Sequence, residues 1–368
     1  MSQQQEVRQG HPYFMYDAIM AQPEAVQAML RQHPAQAQEV ASVAVKKRRL
    51  YLVGIGTSWH AALVAGHWFR RFAPGTVSVQ SWHSFEFCAY PPELGADDAV
   101  IIISHRGTKT YSYLALEMAK ASGAYTVSIT STDPGPRIQV ADVVLNTVEP
   151  ERSAAFTVSY TSAMTVLALL ATAMGSWSDT SEELPLLRAQ LEEVPQHITQ
   201  VLTRQGAVQQ AVRRFQSKER FICTGWGPNT ANAYEVALKM KETSATDSEG
   251  LQVEQILHGP FCSVDQECLL TLIAPPGPGY ARSMNIARAS IEVGAPVWAL
   301  VQEEDSLLSD MATESFALPK LPEMWSPLVY IVPLQLFTYY LAMARGTHPD
   351  LFQQDNPKQA AARRHYDL

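Results

Sequence analysis

Leu50-Tyr51-Leu52-Val53-Gly54-Ile55-Gly56-Thr57-Ser58 is a short apolar run that enters a glycine turn and stops at two hydroxyls. Beyond it Ala61, Leu63, Val64, Trp68 and Phe69 recur at helical spacing, so the stretch reads as strand, turn and helix. A second apolar run, 100–103, ends in Ser104-His105-Arg106-Gly107; a helical segment follows over 113–121, then a strand over 125–129, and 140–145 closes the series. Short apolar strands alternating with helices predict βαβ units and a parallel sheet covered on both faces.

The pattern then recurs. Phe221-Ile222-Cys223-Thr224 runs into Gly225-Trp226-Gly227-Pro228-Asn229-Thr230, followed by Ala233, Val236, Ala237 and Met240 at helical spacing. Measured from each glycine turn, 101–104 matches 270–273, 126–129 matches 297–300, and Glu86 and Glu254 hold similar places. Duplication at this scale predicts two homologous α/β subdomains. The expected boundaries are a helical lead-in over 1–45, a first domain over 46–176 and a helical connector over 177–215. A second domain over 216–345 and a tail over 346–368 complete the chain.

Composition narrows the function classes. At roughly 150 residues per domain, 368 residues suit two domains. With 46% hydrophobic and 17% charged residues the chain is neither disordered, coiled-coil nor collagenous. Asp plus Glu number 36 against 28 Lys plus Arg, and a net charge of −8 argues against general nucleic-acid binding, which needs cations to neutralise phosphates. Four cysteines without a CxxC pair predict reduced thiols in a cytoplasmic protein, and the polar residues 1–10 hold no secretory signal. Residues 153–178 and 324–344 carry no charged side chain and are long enough to span a bilayer. The first is rich in hydroxyls, Pro327 and Pro333 cut the second, and neither has an aromatic belt with basic flanks. Both are expected as helices buried within the fold, with no membrane partner.

Open parallel sheets bind ligands beyond the carboxyl ends of their strands, where helix N-termini offer unpaired N–H groups. Gly56, Thr57 and Ser58 occupy one such turn, and Ser104-His105-Arg106-Gly107-Thr108-Lys109-Thr110 another. Hydroxyls, backbone donors and cations together suit a dianionic phosphate. The plainer alternative is ordinary helix N-caps and solvated cations. Dinucleotide binding fits poorly, because Trp59 takes the third glycine's place and no acid falls between residues 40 and 85. In the second half, Lys239-Met240-Lys241-Glu242 precedes His258-Gly259-Pro260 by sixteen residues. Glu242 and His258 make a candidate acid/base pair for moving a proton on a sugar; alternatively they are a surface helix residue and a loop residue.

The order G-I-G-T-S, S-x-x-G-T, A-L-K-x-K-E and H-G-P resembles the tandem sugar-isomerase (SIS) domains. These occur in the isomerase half of glucosamine-6-phosphate synthase and in the shorter phosphosugar deaminases and deglycases. The likeness covers nearly the whole chain, from Phe14-Met15-Tyr16-Asp17 to Asp355-Asn356-Pro357-Lys358. It implies two tandem flavodoxin-like, three-layer α/β/α subdomains and a small phosphorylated sugar as substrate, without metal or organic cofactor. By the resemblance, Ser58 and Ser104 contact the phosphate, and Glu151 and Thr157 belong to the loop closing over the sugar. Lys239 contacts substrate and Glu242 shuttles a proton between C1 and C2. His258 assists ring opening in a neighbouring subunit's site, which implies a homodimer with shared active sites.

The expected function is an isomerase or deaminase of an amino-sugar phosphate such as glucosamine-6-phosphate or fructose-6-phosphate. Since Met1-Ser2-Gln3 stands directly before the entry helix, it is expected to work without a glutaminase domain. A fructosamine-6-phosphate deglycase and a non-catalytic phosphosugar-binding protein are the alternatives. Several positions depart from the family pattern. Arg106 and Lys109 replace a serine and a threonine of the second phosphate loop, and Phe156 and Val158 replace a serine and a lysine. Ala362 stands where the family has a lysine that forms a Schiff base, and the adjacent Arg363 cannot form an imine.

Overall fold

Among the described residues, ten strands divide into two sheets of five. In the first, β1 (Arg49–Gly54), β2 (Ser78–His83), β3 (Asp98–Ile103), β4 (Tyr125–Thr130) and β5 (Val143–Asn146) lie in the order β2-β1-β3-β4-β5, every pair parallel. In the second, β6 (Arg220–Gly225), β7 (Asp247–Gln252), β8 (Cys268–Ala274), β9 (Val297–Gln302) and β10 (Glu314–Leu318) lie in the order β10-β9-β8-β6-β7, again all parallel. Numbered within each half, both sheets read 2-1-3-4-5, the flavodoxin-like order. The computed structural model describes residues 7–178 and 182–366. The start of the lead-in with Met1-Ser2-Gln3, three connector residues and the last two of the tail lie outside the described residues.

Alternation along the strands sorts the core. Leu50, Leu52, Ile101 and Ile103 face inward, joining Phe221, Cys223, Leu269 and Leu300 of the second sheet in one shared cluster. Tyr51, Val53, Val100 and Ile102 face the opposite side, against Phe87, Leu116 and Ile138. The second sheet's outer face has its own cluster, with Leu270, Leu272, Ile286 and Ala299. The helices Thr57–Phe72 and Asn229–Ser244, each following the first strand of its half, pack against one another. This contact sets the first glycine turn, through Thr57, against Glu235 inside the second helix.

Val158–Gly175 and Glu323–Ala344 are long and apolar enough to cross a membrane, yet 94% and 89% of them is buried inside the fold. Both serve as core helices here. Pro333 does not interrupt the second: the helix Ser326–Ala344 continues through it, and Pro327 sits in its first turn. The connector forms three helices, Leu184–Glu192, Val194–Thr203 and Gln205–Phe215. All four cysteines are free.

Each glycine turn starts with a residue that must lack a side chain. A Cβ on Gly54 would lie 2.4 Å from the Ser58 carbonyl oxygen, and one on Gly225 would lie 2.5 Å from that of Asn229. The helix therefore starts directly against the strand end. Gly54→Ala is expected to destabilise the chain by about 1–3 kcal/mol, as overpacked sites do. Urea denaturation measures it, and an unchanged midpoint would show that the helix shifts freely.

Candidate active site

The helix Asn229–Ser244 places Glu235, Lys239 and Glu242 on one face, at i, i+4 and i+7. Glu235 lies in the contact between the two halves, where it meets Thr57 and His60. Glu235 is fully buried, and its carboxylate accepts the Thr57 hydroxyl at 3.0 Å and lies 2.6 Å from His60 Nδ1. Lys239, 1% exposed, has its ammonium 3.4 Å from Glu235 Oε1 and donates to Glu242 Oε2. One cation is thus enclosed by two carboxylates, tied through Glu235 to the first glycine turn.

Burial sets the charges here. It disfavours an ionised Glu242, and the negative Glu235 adds to this; Lys239 and Arg363 pull the other way, and the carboxyl ends pushed up to about 7. Burial also opposes the Lys239 charge, but Glu235 and Glu242 outweigh it and hold its pKa above the ordinary lysine value. Burial works likewise against ionised Glu235, and Lys239 and His60 reverse it, leaving that carboxyl below its usual range. At neutral pH Lys239 and Glu235 are charged while Glu242 is poised to take or release a proton.

The loop after β3 carries the residues expected at the phosphate, and several of them are tied to the segment around Glu151. Ser104 and His105 are buried, and His105 Nε2 accepts the Glu151 backbone N–H at 3.1 Å. Burial, aided by nearby Arg106, pushes the His105 pKa down to about 3, so the ring is neutral and carries its proton on Nδ1. Arg106 turns to donate to the Glu151 carbonyl at 2.7 Å and lies over the Phe156 ring. Gly107 has φ +63°, and a Cβ there would lie 2.5 Å from Ile138. Thr108 is exposed, and Thr110 opens the helix Thr110–Ala121. Lys109 is half-buried; burial, then Arg106 and Arg363, lower its pKa.

Glu151 caps a helix. Its carboxylate accepts the backbone N–H of Thr157 at 3.0 Å and of Ser159 at 2.8 Å, at the start of Val158–Gly175. This fixes Phe156 against His105, ring centroids 5.0 Å apart. Thr57, Ser58, His105, Phe156, Ser159 and Tyr160 enclose a cavity of about 10 Å³.

Glu242 and His258 do not meet within one chain. His258 is two-thirds exposed and lies 3.1 Å from Glu254, which also holds Arg282 at 2.7 Å. The loop that follows β7 carries it on the outer surface, so the sixteen-residue separation does not fold Glu242 and His258 together. The structure instead brings together Thr57, His60, Glu235, Lys239 and Glu242. Of these, His60 and Glu235 escape a motif reading, although the i, i+4, i+7 spacing of Glu235, Lys239 and Glu242 marks a shared face. The tail returns Arg363 close enough for Glu242 and Lys109 to feel its charge.

Residues 44–173 match the SIS domain model. Over 345 residues the chain is 30% identical to the isomerizing glutamine–fructose-6-phosphate aminotransferase of Thermococcus kodakarensis, covering 93% of this chain and 57% of that protein. The same figures hold over 355 residues for the Bacteroides thetaiotaomicron enzyme of that name. The chain thus spans little more than half the length of these relatives. In fold it is similar to the C-terminal domain of glucosamine-fructose-6-phosphate aminotransferase from Francisella tularensis (TM-score 0.84, 21% identity, 94% of this chain and 99% of that one). It is also similar to glucosamine-6-phosphate deaminase from Thermotoga maritima (TM-score 0.73, 19% identity, 92% and 97%). Residues 44–173 thus belong to the SIS domain family, and the second half repeats their sheet order.

Proposed function

We propose that the chain isomerises or deaminates an amino-sugar phosphate, with Glu242 moving a proton between C1 and C2. The observation that carries this reading is the Glu242 carboxyl, buried, paired with charged Lys239 and titrating near 7. A base with a pKa near the working pH combines a useful ionised fraction with real basicity. Lys239 is placed to stabilise negative charge developing on an enediol oxygen. The named activities of the relatives, aminotransfer to fructose-6-phosphate and deamination of glucosamine-6-phosphate, point to the same class of sugar. An outward-facing His258 suits a homodimer in which it serves a second copy's site. Deglycation of a fructosamine-6-phosphate would use the same residues and differ only in the departing amine.

Proton NMR in D₂O with fructose-6-phosphate, glucosamine-6-phosphate and a fructosamine-6-phosphate tests the proposal. Deuterium entering C1 or C2 of one substrate is the expected result, and the amine released names the reaction. Line broadening without exchange in any of the three would leave a binding protein.

A further inference from the structure

Lys239 stands between two buried carboxyls, and a single negative charge is enough to balance it. The two carboxyls are unequally supplied with donors. Glu235 Oε1 accepts the Thr57 hydroxyl at 3.0 Å and lies 3.4 Å from the Lys239 ammonium, while Oε2 lies 2.6 Å from His60 Nδ1. A carboxylate only accepts, so Nδ1 carries the hydrogen. The Glu242 carboxyl has Lys239 as its one hydrogen-bond partner among the described residues. Hydrogen bonds to the charged form of a carboxyl favour that form, so the charge settles on Glu235 and the proton on Glu242. Burial raises both groups, yet Glu235 ends below its usual range and Glu242 at about 7, in line with that geometry.

The donors that distinguish Glu235 come from the other half of the chain. Thr57 and His60 both lie in the first turns of the helix Thr57–Phe72. His60 makes the shorter contact and is itself buried, so little water competes for the carboxylate. The groups around this pair have other partners. Trp59 and Tyr234 pack on the His60 ring, and His83 packs on Trp59. Tyr160 donates to Asn232 at 3.0 Å, and Glu151 is occupied by the backbone N–H groups of Thr157 and Ser159. Beyond Lys239 and Glu235, the charge felt at Glu242 is that of Arg363.

We propose that His60 is a positioning residue: its Nδ1–H fixes the negative charge on Glu235 and so leaves the exchangeable proton of the cluster to Glu242. The base then exists only where the two halves meet, because its carboxyl belongs to the second half and the group that prepares it belongs to the first. The proposal deepens the proton-transfer reading and rests on it for the effect on rate, not for the placement of the proton.

Carbon-13 NMR of the glutamate carboxyls in the whole chain locates the proton without any substrate, the two signals being assigned by Glu235→Gln and Glu242→Gln. In the wild type Glu242 should titrate near 7 while Glu235 stays ionised across that range. His60→Leu keeps the bulk and removes the donor. Glu235 should then take up a proton around neutrality, and the Glu242 midpoint should fall by about half a pH unit or more, as two carboxyls compete for one proton. His60→Gln, whose amide lies out where Nε2 stood, should act likewise and keeps the test open if the leucine variant does not fold. His60→Asn puts an amide N–H where Nδ1 stood and should restore the midpoint to within about 0.3 pH unit. Combined with Glu235→Gln, His60→Leu should move Glu242 no further than Glu235→Gln alone, because it acts through that carboxylate. Maximal deuterium exchange should fall about tenfold or more in His60→Leu, with KM within about threefold, and recover in His60→Asn. A purely structural His60 would change stability and leave both midpoints in place. The proposal is overturned by unmoved midpoints in His60→Leu and His60→Gln, by an asparagine variant that behaves like the leucine one, or by shifts that add in the double variant. A wild type that titrates as expected yet exchanges no deuterium sinks the proton-transfer reading and leaves the placement of the proton standing.

Discussion

Glu242→Gln is expected to lower deuterium exchange at C1 or C2 by about a hundredfold to ten-thousandfold, the usual worth of a positioned general base. Substrate affinity should stay within about threefold, because the amide keeps the shape and still accepts from Lys239. The wild-type rate should also carry the Glu242 signature. Its carboxyl is pushed up to about 7, so the basic form is scarce below that pH and exchange rises as pH passes through 7 before levelling off. The Gln variant has no such group, and that rise should vanish from whatever rate is left. NMR exchange across pH 5.5–8.5, together with titration calorimetry, reads both quantities. Exchange by the Gln variant at the wild-type rate would remove Glu242 from the chemistry.

Much of the architecture is legible in the sequence because central parallel strands are apolar on both faces. Residues 50–53, 100–103, 221–224 and 270–273 announce β1, β3, β6 and β8 in this way. The edge strands β2 and β7 do not. β2 reads Ser-Val-Gln-Ser-Trp-His and β7 reads Asp-Ser-Glu-Gly-Leu-Gln, since each is paired on one side only and partly exposed. Pairing with β1 and β6, not local propensity, makes them strands. The site divides along the same line. Lys239 and Glu242 are visible because they share one helix within a recognisable motif. His60 and Glu235 are 175 residues apart, and only the packing of two helices from different halves makes them a pair. The Arg106–Phe156 contact is half legible: both residues stand out as departures, but that they stack depends on three dimensions.

Opposite shifts in the pH profile should follow from the two groups that flank Glu242. Burial raises its pKa first, Lys239 lowers it and Glu235 raises it. Lys239→Met keeps the burial and removes the cation, so the midpoint of exchange should move above 7. A shift of one unit would cost about tenfold in rate well below the new midpoint. Glu235→Gln removes a negative neighbour and leaves Lys239 to Glu242 alone, so its midpoint should move below 7. Stability separates the variants further. Lys239→Met leaves two carboxylates buried without their cation and should cost about 3–5 kcal/mol near neutral pH. Part of that loss should return on acidification, as protonation makes Glu242 neutral. Glu235→Gln keeps an acceptor for Thr57 and leaves Lys239 still paired to Glu242, so it should cost less. Exchange rates against pH, with urea denaturation at pH 5.5 and 8, measure all four quantities. If both variants shift the midpoint in one direction, the enclosed Lys239 is not what tunes Glu242, and the pairing seen between them serves folding alone.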